Sequence, residues 1–429
     1  MKYSLVNIFR KYAKDSFFII FSKVIGVLIG LFTLPIILNN LPIEEYGIFQ
    51  FILALQIWLL ALTGNHITSG SIKGLAKGFD GTFLFAFVNR IKFLVIVGFI
   101  LLVSSFYFYL IKSTILFYLL IIFSVYLVFG YLFQQNCIQF FIAKKQFKNL
   151  ATLQITTSVI VSISSALVAF FTHNIIKFVL VQLGMSSFIS LVWWLYIVKK
   201  NNLYQAYKRK EIDSECLSYG LKLIPVDLFI ISVGKISYFI IGSFFGFSNL
   251  AVFSAANKLR DKCAAFTRTI FPSLLYADFA NKDRKELMKI VSYYLIKIGI
   301  FGILLTFLFI IAGWYYIKYF LPEIYRLSSL YFVILALGLP AVGLSTILHT
   351  ILESHLRYKE LSVVQVVHNL IKIVLIIIFG YLWQIIGICI ALAISGWVSF
   401  GFYYLLTVKK DLVVGNIKSF PLLKKLFNF

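Results

Sequence analysis

The sequence predicts an all-α polytopic membrane protein, and three observations carry that prediction. Apolar residue types make up 61% of the 429 positions, whereas Asp, Glu, Lys and Arg together make up only 13%. Soluble domains carry about 25% charged residues. Apolar stretches of roughly 20 residues, long enough to cross a bilayer, recur along the whole chain. A soluble class is excluded because no water-soluble core could bury so much apolar surface.

About twelve membrane spans are predicted, joined by short connections. Their approximate limits are 16–38, 46–66, 86–110, 114–141, 150–171, 176–198, 219–245, 250–276, 289–313, 328–351, 362–380 and 383–407. The apolar run in the first span is longer than a signal-peptide core and lacks a small-x-small cleavage site. We therefore interpret it as a retained helix.

The positive charge predicts the orientation of the chain. The formal net charge is +24. With the N-terminus in the cytoplasm, 28 Lys and Arg residues fall in cytoplasmic segments, four of them between Lys73 and Lys92, and only 4 fall in external loops. The positive-inside rule then predicts that both termini are cytoplasmic. Membrane topology therefore accounts for most of the net positive charge, and this charge does not indicate nucleic-acid binding.

Two weak internal matches predict a two-lobe organisation. The pattern aromatic-Lys-x-Leu-x-x-x-Gln occurs at 147–154 and again at 358–365, an offset of 211 residues. A fainter match joins 47–49 to 251–253, an offset of 204. Both offsets equal six spans, which predicts a parallel repeat of two six-helix lobes, residues 1–210 and 211–429. Chance similarity between amphipathic loops is the alternative.

Eight cations lie inside predicted spans, where an ionisable residue costs about 2.5–3.5 kcal/mol at the centre on insertion scales. On a helical wheel of span eight, one arc of about 120° holds three cations and Asp261, and Arg260 lies outside it. The functional interpretation is a basic cavity for an anionic group, most plausibly phosphate. Its candidate residues are Lys23, Lys235, Lys258, Lys262, Arg268 and Lys372. The alternative is snorkelling to the headgroups, which is favoured for Lys297 and open for Lys258.

Other polar residues in the spans give weaker signals. Asp227 and Asp261 could neutralise a cation or hold a coupling proton or sodium ion, while Gln56, Asn65 and His66 could line the cavity. Small-xxx-small glycine spacing, as at 70, 74 and 78, is interpreted as close helix packing. No HExxH, nucleophile triad or nucleotide-binding loop occurs, so no catalytic residues are assigned. The four scattered cysteines form no CxxC pair, so no metal site is expected.

The segment from Pro42 to Phe49, Pro-Ile-Glu-Glu-Tyr-Gly-Ile-Phe, resembles the Pro-x-Glu-Glu-Tyr-Gly-x-Phe signature of polysaccharide flippases. These are the O-antigen or Wzx-type members of the MATE-like superfamily of multidrug, oligosaccharidyl-lipid and polysaccharide transporters. The segment from Ser22 to Gly26 is similar to the Ser-basic-x-x-Gly motif in span one of lipid II flippases, and it is the motif that carries over Lys23.

The resemblance implies a MATE-like protein of the bacterial inner membrane. Its substrate would be a polyprenyl-pyrophosphate-linked oligosaccharide, moved by alternating access from the cytoplasmic to the periplasmic leaflet for O-antigen, capsule or exopolysaccharide assembly. Partners would include the bilayer and the polymerase and chain-length proteins of the same pathway. No cofactor is implied. Proton or sodium coupling stays open, because Ser237 and the Thr63-Gly64-Asn65 segment replace acids that many relatives carry.

Three other functions fit the sequence less well. A multidrug exporter of the same superfamily would need buried acids, yet intramembrane cations outnumber acids eight to two. A membrane enzyme such as an O-antigen polymerase would need a long polar loop, and the chain has none. A purely structural membrane protein gives no reason for the cationic face of span eight.

Overall fold

The fold is all-helical in every part of the chain that the structure describes. The computed structural model describes the backbone of residues 5–280, 284–354 and 358–408. It describes the side chains of residues 17–265, 295–352 and 361–407, except those of Asn65, Ser69, Tyr219 and Leu223. These ranges contain helices, turns and bends but no strand, which confirms the predicted all-α class.

Fifteen α-helices follow one another in these ranges. They are α1 Leu5–Asn40, α2 Ile43–Leu60, α3 Asn65–Ala76, α4 Thr82–Leu110, α5 Thr114–Tyr126, α6 Leu132–Ala143, α7 Phe147–Thr172, α8 Ile175–Lys200, α9 Leu203–Lys208, α10 Glu215–Ile240, α11 Phe247–Ala280, α12 Arg284–Phe320, α13 Leu327–Ala336, α14 Leu339–Ser354 and α15 Tyr358–Val408.

Among the described residues, nine helices are long and apolar enough to cross a membrane, or ten when a bent pair containing α13 and α14 counts as one span. The longest, α15, has non-helical dihedral angles at Trp383 and Gln384, which divide it into two helical parts. Helix α11 is not among the nine, and it carries four charged residues from Lys258 to Lys262. The protein is therefore a multi-pass membrane protein. The count of twelve spans and the cytoplasmic location of the termini stay predictions.

The chain forms two compact units. The N-terminal unit comprises residues 12–254 and 320–324, and the C-terminal unit comprises the remaining described residues, chiefly 255–319 and 325–408. Helix α10, the predicted span seven, belongs to the N-terminal unit, and the boundary between units falls within α11. The predicted division at residue 210 concerns a repeat in the sequence and stays a prediction.

A break at Gly64 separates α2 from α3 inside the predicted second span. A 3₁₀ turn, Ala61–Thr63, precedes Gly64, whose φ of 62° and ψ of 54° lie in the left-handed region. Glycine adopts this conformation without the steric cost that a Cβ atom brings. Thr63 Oγ1 donates to the carbonyl of Leu60 at 2.7 Å and partly satisfies the end of α2. The break places the first turn of α3 deep inside the N-terminal unit.

Helix irregularities also mark two other spans. A π-helical turn, Leu127–Tyr131, joins α5 to α6, and another, Ile241–Phe245, follows α10. Pro225 lies inside α10 and cannot donate the backbone hydrogen bond that would reach Leu221. Such turns and prolines are common sites of bending in helices.

Each unit has its own apolar core and an apolar surface. In the N-terminal unit, Leu75, Phe83 and Leu203 are buried in one cluster. In the C-terminal unit, a second cluster includes Leu348. Long stretches of α4 and α12 leave large apolar side chains more than half exposed; examples are Phe99, Val103, Phe106, Ile303, Leu304, Phe307 and Leu308. Surfaces of this kind suit contact with lipid tails, as expected of membrane helices.

Candidate functional site

Glycines on both contact faces allow α3 and α10 to approach each other closely in the N-terminal unit. A Cβ atom at Gly70 would lie 3.2 Å from Cα of Cys216, and one at Gly220 would lie 2.6 Å from the backbone nitrogen of Ile67. Cβ atoms essentially never come within 3.0 Å of another atom, so Gly220 leaves no room for a side chain. This confirms the predicted packing role of Gly70. The prediction was wrong for Gly78, where a Cβ atom would meet nothing within 4 Å and φ is +94°.

The same helix pair brings together His66 and Asp227, two candidates that are 161 positions apart in the sequence. Nε2 of His66 lies 2.9 Å from Oδ1 of Asp227, and the two side chains are 35% and 15% exposed. When Asp227 carries a carboxylate, His66 is the donor through Nε2, because a carboxylate only accepts hydrogen bonds. The acid of span seven therefore has a histidine within hydrogen-bonding distance. Its role in proton or sodium coupling stays a prediction.

Polar side chains of α2 extend this contact region. Gln56 is buried, at 4% exposure. Trp58 Nε1 donates to Ser232 Oγ at 2.7 Å, which links α2 to α10. Asn65, the third predicted lining residue, has a side chain outside the described set. Trp58 and His66 thus contact α10, but the described contacts do not test whether Gln56, Asn65 and His66 line a substrate cavity.

Arg90 is a buried cation that the sequence did not single out. The charge count placed it among the cytoplasmic loop residues, whereas in the structure it lies on α4 and is 0% exposed. Its Nη1 donates to Thr68 Oγ1 in the first turn of α3 at 3.0 Å. The guanidinium carbon lies 5.3 Å from the ring centroid of Tyr131, in the π-helical turn. Arg90 therefore links three spans of the N-terminal unit.

The two predicted cavity lysines of the N-terminal unit have different surroundings. Lys23 on α1 is exposed, and its neighbour Ser22 is buried and donates to Gln154 Oε1 on α7 at 3.0 Å. Lys235 on α10 is half-buried, and its Nζ lies 5.2 Å from the ring centroid of Tyr238. An aromatic face attracts a cation and lowers the cost of placing it in a span.

Helix α11 carries the densest group of candidates. Lys258 and Lys262 are half-buried and lie one turn apart in the C-terminal unit. Asp261, about half exposed, contacts Arg260, with Nη1 and Oδ1 3.3 Å apart. Asn257 contacts both charges: its Nδ2 donates to Asp261 at 3.3 Å and its Oδ1 accepts from Arg260 at 2.9 Å. The wheel placed Arg260 outside the cationic arc, but its long side chain reaches the adjacent acid.

The remaining candidates are placed less completely. Lys372 is half-buried on α15 in the C-terminal unit, and Lys297 on α12 is exposed. Snorkelling of Lys297 to the headgroups stays a prediction. The side chain of Arg268 lies outside the described set. A single basic cavity built from residues of both units therefore stays a prediction. Among the described residues, no group of three or more His, Cys, Asp or Glu could hold a metal ion.

Polar pairs join the helix ends on the predicted cytoplasmic side of the N-terminal unit. Lys73 Nζ donates to Glu215 Oε2 at 2.9 Å, and Lys144 pairs with Asp80 at 2.5 Å. The hydrogen bond from Lys73 holds the pKa of the Glu215 carboxyl below its ordinary value. Burial beside α3 raises the pKa of the Cys216 thiol to about 11. This end of α10 is thus fixed to α3 by packing and by charge.

Comparison with solved structures defines the class of fold. A multidrug-resistance MATE transporter in an inward-facing conformation aligns with a TM-score of 0.63 at 13% identity, covering 92% of this chain and 96% of that one. The lipid II flippase MurJ, in an inward closed conformation, aligns with a TM-score of 0.64 at 17% identity, covering 95% and 93%. A MATE transporter of Vibrio cholerae aligns at 0.55 and 12% identity, covering 96% and 99%. The protein has the fold shared by MATE transporters and MurJ.

The family follows from the sequence itself. The family model described as "Polysaccharide biosynthesis protein" matches residues 12–275, more than half of the chain. The chain therefore belongs to this family. A search of curated proteins finds no match to this sequence. The expected resemblance to polysaccharide flippases of the MATE-like superfamily is confirmed at the level of family and fold.

Proposed function

We propose that this protein flips a polyprenyl-pyrophosphate-linked oligosaccharide from the cytoplasmic to the periplasmic leaflet of a bacterial inner membrane. The observation that carries the proposal is the match to the polysaccharide biosynthesis family over residues 12–275. The fold shared with MurJ, whose printed name is lipid II flippase, supports it. The product would serve O-antigen, capsule or exopolysaccharide assembly, together with a polymerase and chain-length proteins.

The cations of the spans supply the chemistry that such a substrate requires. Lys235, Lys258 and Lys262 are half-buried, and all three fall inside predicted spans. A pyrophosphate brings negative charge that offsets the cost of keeping these lysines there. Lysine binds phosphate as a point charge, which suits a substrate that must be released on the other side. The polyprenyl chain would stay in lipid while the sugars move through the protein.

Export of drugs is the second candidate, because two of the structures that share the fold are MATE transporters, one of them named for multidrug resistance. A cation exporter needs acids that its substrates can reach. In the described part of the chain, however, Asp227 contacts His66, and the half-exposed Asp261 contacts Arg260, whose positive charge would repel a cationic drug. The family match also favours a polysaccharide precursor over a drug.

The test is complementation of a bacterial strain that lacks its polysaccharide flippase. Wild type, Lys235→Ala and Lys262→Ala are compared at equal membrane expression, and surface polymer and lipid-linked repeat units on the inner leaflet are both measured. Lys297→Ala is the matched control, because it removes the same charge from an exposed position. A hydrogen bond to a charged group contributes about 1.5–3 kcal/mol, so each cavity variant should lower apparent substrate affinity about 10- to 100-fold.

Each outcome has a distinct meaning. Restoration by wild type and Lys297→Ala, with loss in the other two variants, supports both flipping and the cationic site. Restoration by all variants supports flipping but contradicts the role of these lysines. Failure of wild type with flippase strains of several polymer types, together with resistance to cationic drugs, would replace the proposal by drug export.

A further inference from the structure

The end of α8 and the outer face of α9 form a basic surface in the N-terminal unit. The segment from Tyr196 to Lys210 contains five cations and no acid. Its cations are all exposed; they are Lys199, Lys200, Lys208, Arg209 and Lys210. We call this set, with the exposed rings of Tyr196 and Tyr204, the α8–α9 basic surface.

The acids that follow this segment do not neutralise it. Among the described side chains, the member of the set that lies within 4.0 Å of an acid is Arg209, at 3.8 Å from Glu211. Glu215 is already bonded to Lys73. Two lysines instead contact aromatic rings: Lys200 Nζ lies 5.1 Å from the ring centroid of Tyr196, and Lys208 Nζ lies 4.6 Å from that of Tyr204. The surface therefore keeps most of its positive charge.

The basic surface is held in place by packing. Leu203 of α9 is 0% exposed and belongs to an apolar cluster of the N-terminal unit. Ala206 is also buried, and its carbonyl would lie 2.8 Å from a Cβ atom at Gly81, so the turn before α4 rests directly on α9. The outward residues Tyr204 and Lys208 are thus fixed relative to the membrane-spanning helices.

Its distance from the membrane follows from helix length. Helix α8 has 26 residues and is about 39 Å long, which exceeds the roughly 30 Å hydrocarbon core. We therefore expect Lys199 and Lys200, at its end, to lie at headgroup depth. Helix α9 begins three residues after Lys200, within about 10 Å along the chain. Tyrosine rings with lysines are typical of this interfacial layer.

We propose that the α8–α9 basic surface binds the phosphodiester headgroups of anionic phospholipids in the surrounding bilayer. The positive-inside rule accounts for cations on the predicted cytoplasmic side. It does not require them to be clustered beside tyrosine rings on α9 and the end of α8. A bilayer presents several phosphodiester groups in one plane. The five exposed cations of the α8–α9 basic surface, held at headgroup depth, can contact several of these groups at once. This proposal does not depend on the identity of the transported substrate.

The experiment uses the full-length protein in lipid nanodiscs of zwitterionic phosphatidylcholine with increasing phosphatidylglycerol. Bound phosphatidylglycerol is counted by native mass spectrometry, and the thermal midpoint is followed. A surface cation interacts with anionic lipid by about 1 kcal/mol, which is about a five-fold change in affinity. Lys200→Gln combined with Lys208→Gln should weaken phosphatidylglycerol binding about 25-fold. Raising the salt from 0.1 M to 1 M should abolish the difference, because the Debye length falls from about 10 Å to 3 Å.

Two further variants keep the test decisive. Lys92→Gln combined with Lys222→Gln removes the same charge from exposed positions outside the surface and should change binding less than two-fold. Lys200→Arg combined with Lys208→Arg should keep wild-type binding. Equal losses in the two Gln pairs, or no loss in the first, would overturn the proposal. It would also be overturned if 10 mM inorganic phosphate in pure phosphatidylcholine gave the same stabilisation, or if the salt titration of wild type showed no effect.

Discussion

The contact between His66 and Asp227 should control how often α3 separates from α10. Asp227→Ala and His66→Ala each remove it, and the double variant completes a mutant cycle. A hydrogen bond to a charged group contributes about 1.5–3 kcal/mol. With side-chain exposures of 35% and 15%, solvent screening lowers this to about 1–2 kcal/mol. We therefore expect each single variant to increase the opening of the α3–α10 contact about 5- to 30-fold.

Cys216 provides the assay. It is buried against Gly70 in this contact, so its reaction with a maleimide reports the population in which the helices have separated. The three other cysteines are first replaced by Ser or Ala, leaving Cys216 as the single reporter. Lys222→Gln, on an exposed position of the same helix, is the control. If the double variant reacts at a rate equal to the product of the two single effects, the residues are not coupled and the reasoning is wrong.

Three further predictions concern the N-terminal unit. Gly220→Ala places a Cβ atom 2.6 Å from the backbone of Ile67 and should destabilise the protein by about 1–3 kcal/mol. The control Gly184→Ala meets no atom within 4 Å and should be tolerated. Thermal unfolding in detergent measures both variants. Arg90→Gln removes a fully buried donor and should lower the thermal midpoint with a cost of about 1–3 kcal/mol, and an unchanged midpoint would contradict this. Because its pKa is raised to about 11, Cys216 should stay a neutral thiol at pH 8–9 and reach half-maximal thiolate reactivity near pH 11; a midpoint near 9 would show that the thiol is not buried.

Composition and periodicity were sufficient to predict the class of fold. The apolar stretches identified an all-helical membrane protein, and the segment from Pro42 to Phe49 identified a family that the family model confirms. The spacing of Gly70 and Gly74 correctly predicted close helix packing. These features are local, so a single sequence records them. The number of spans stays a prediction, because α11 carries charged residues and α13 and α14 belong to a bent pair that can be counted as one span.

The polar contacts of the site could not be predicted. His66 and Asp227 are 161 positions apart, and nothing in helical periodicity pairs two residues across different spans. Arg90 illustrates a different limit: a charge near the end of a span looks the same in the sequence whether it points to water or inward. Its 0% exposure depends on Thr68 and Tyr131, which reach it from other helices. On α11, the arc of cations was visible, but the reach of Arg260 to Asp261 depends on side-chain conformation.

The break at Gly64 has a mechanical consequence when it is considered together with Pro225. At each of these residues the regular helical hydrogen bonding of the span is interrupted. Each lies two residues before a member of the His66–Asp227 contact. The contact therefore joins two helices immediately beside their bending points. Glycine packing and the Lys73–Glu215 pair join the same two segments further along. We therefore expect α3 and the first third of α10 to move together as one rigid body. Bending at Gly64 and bending at Pro225 would then be a single coupled motion.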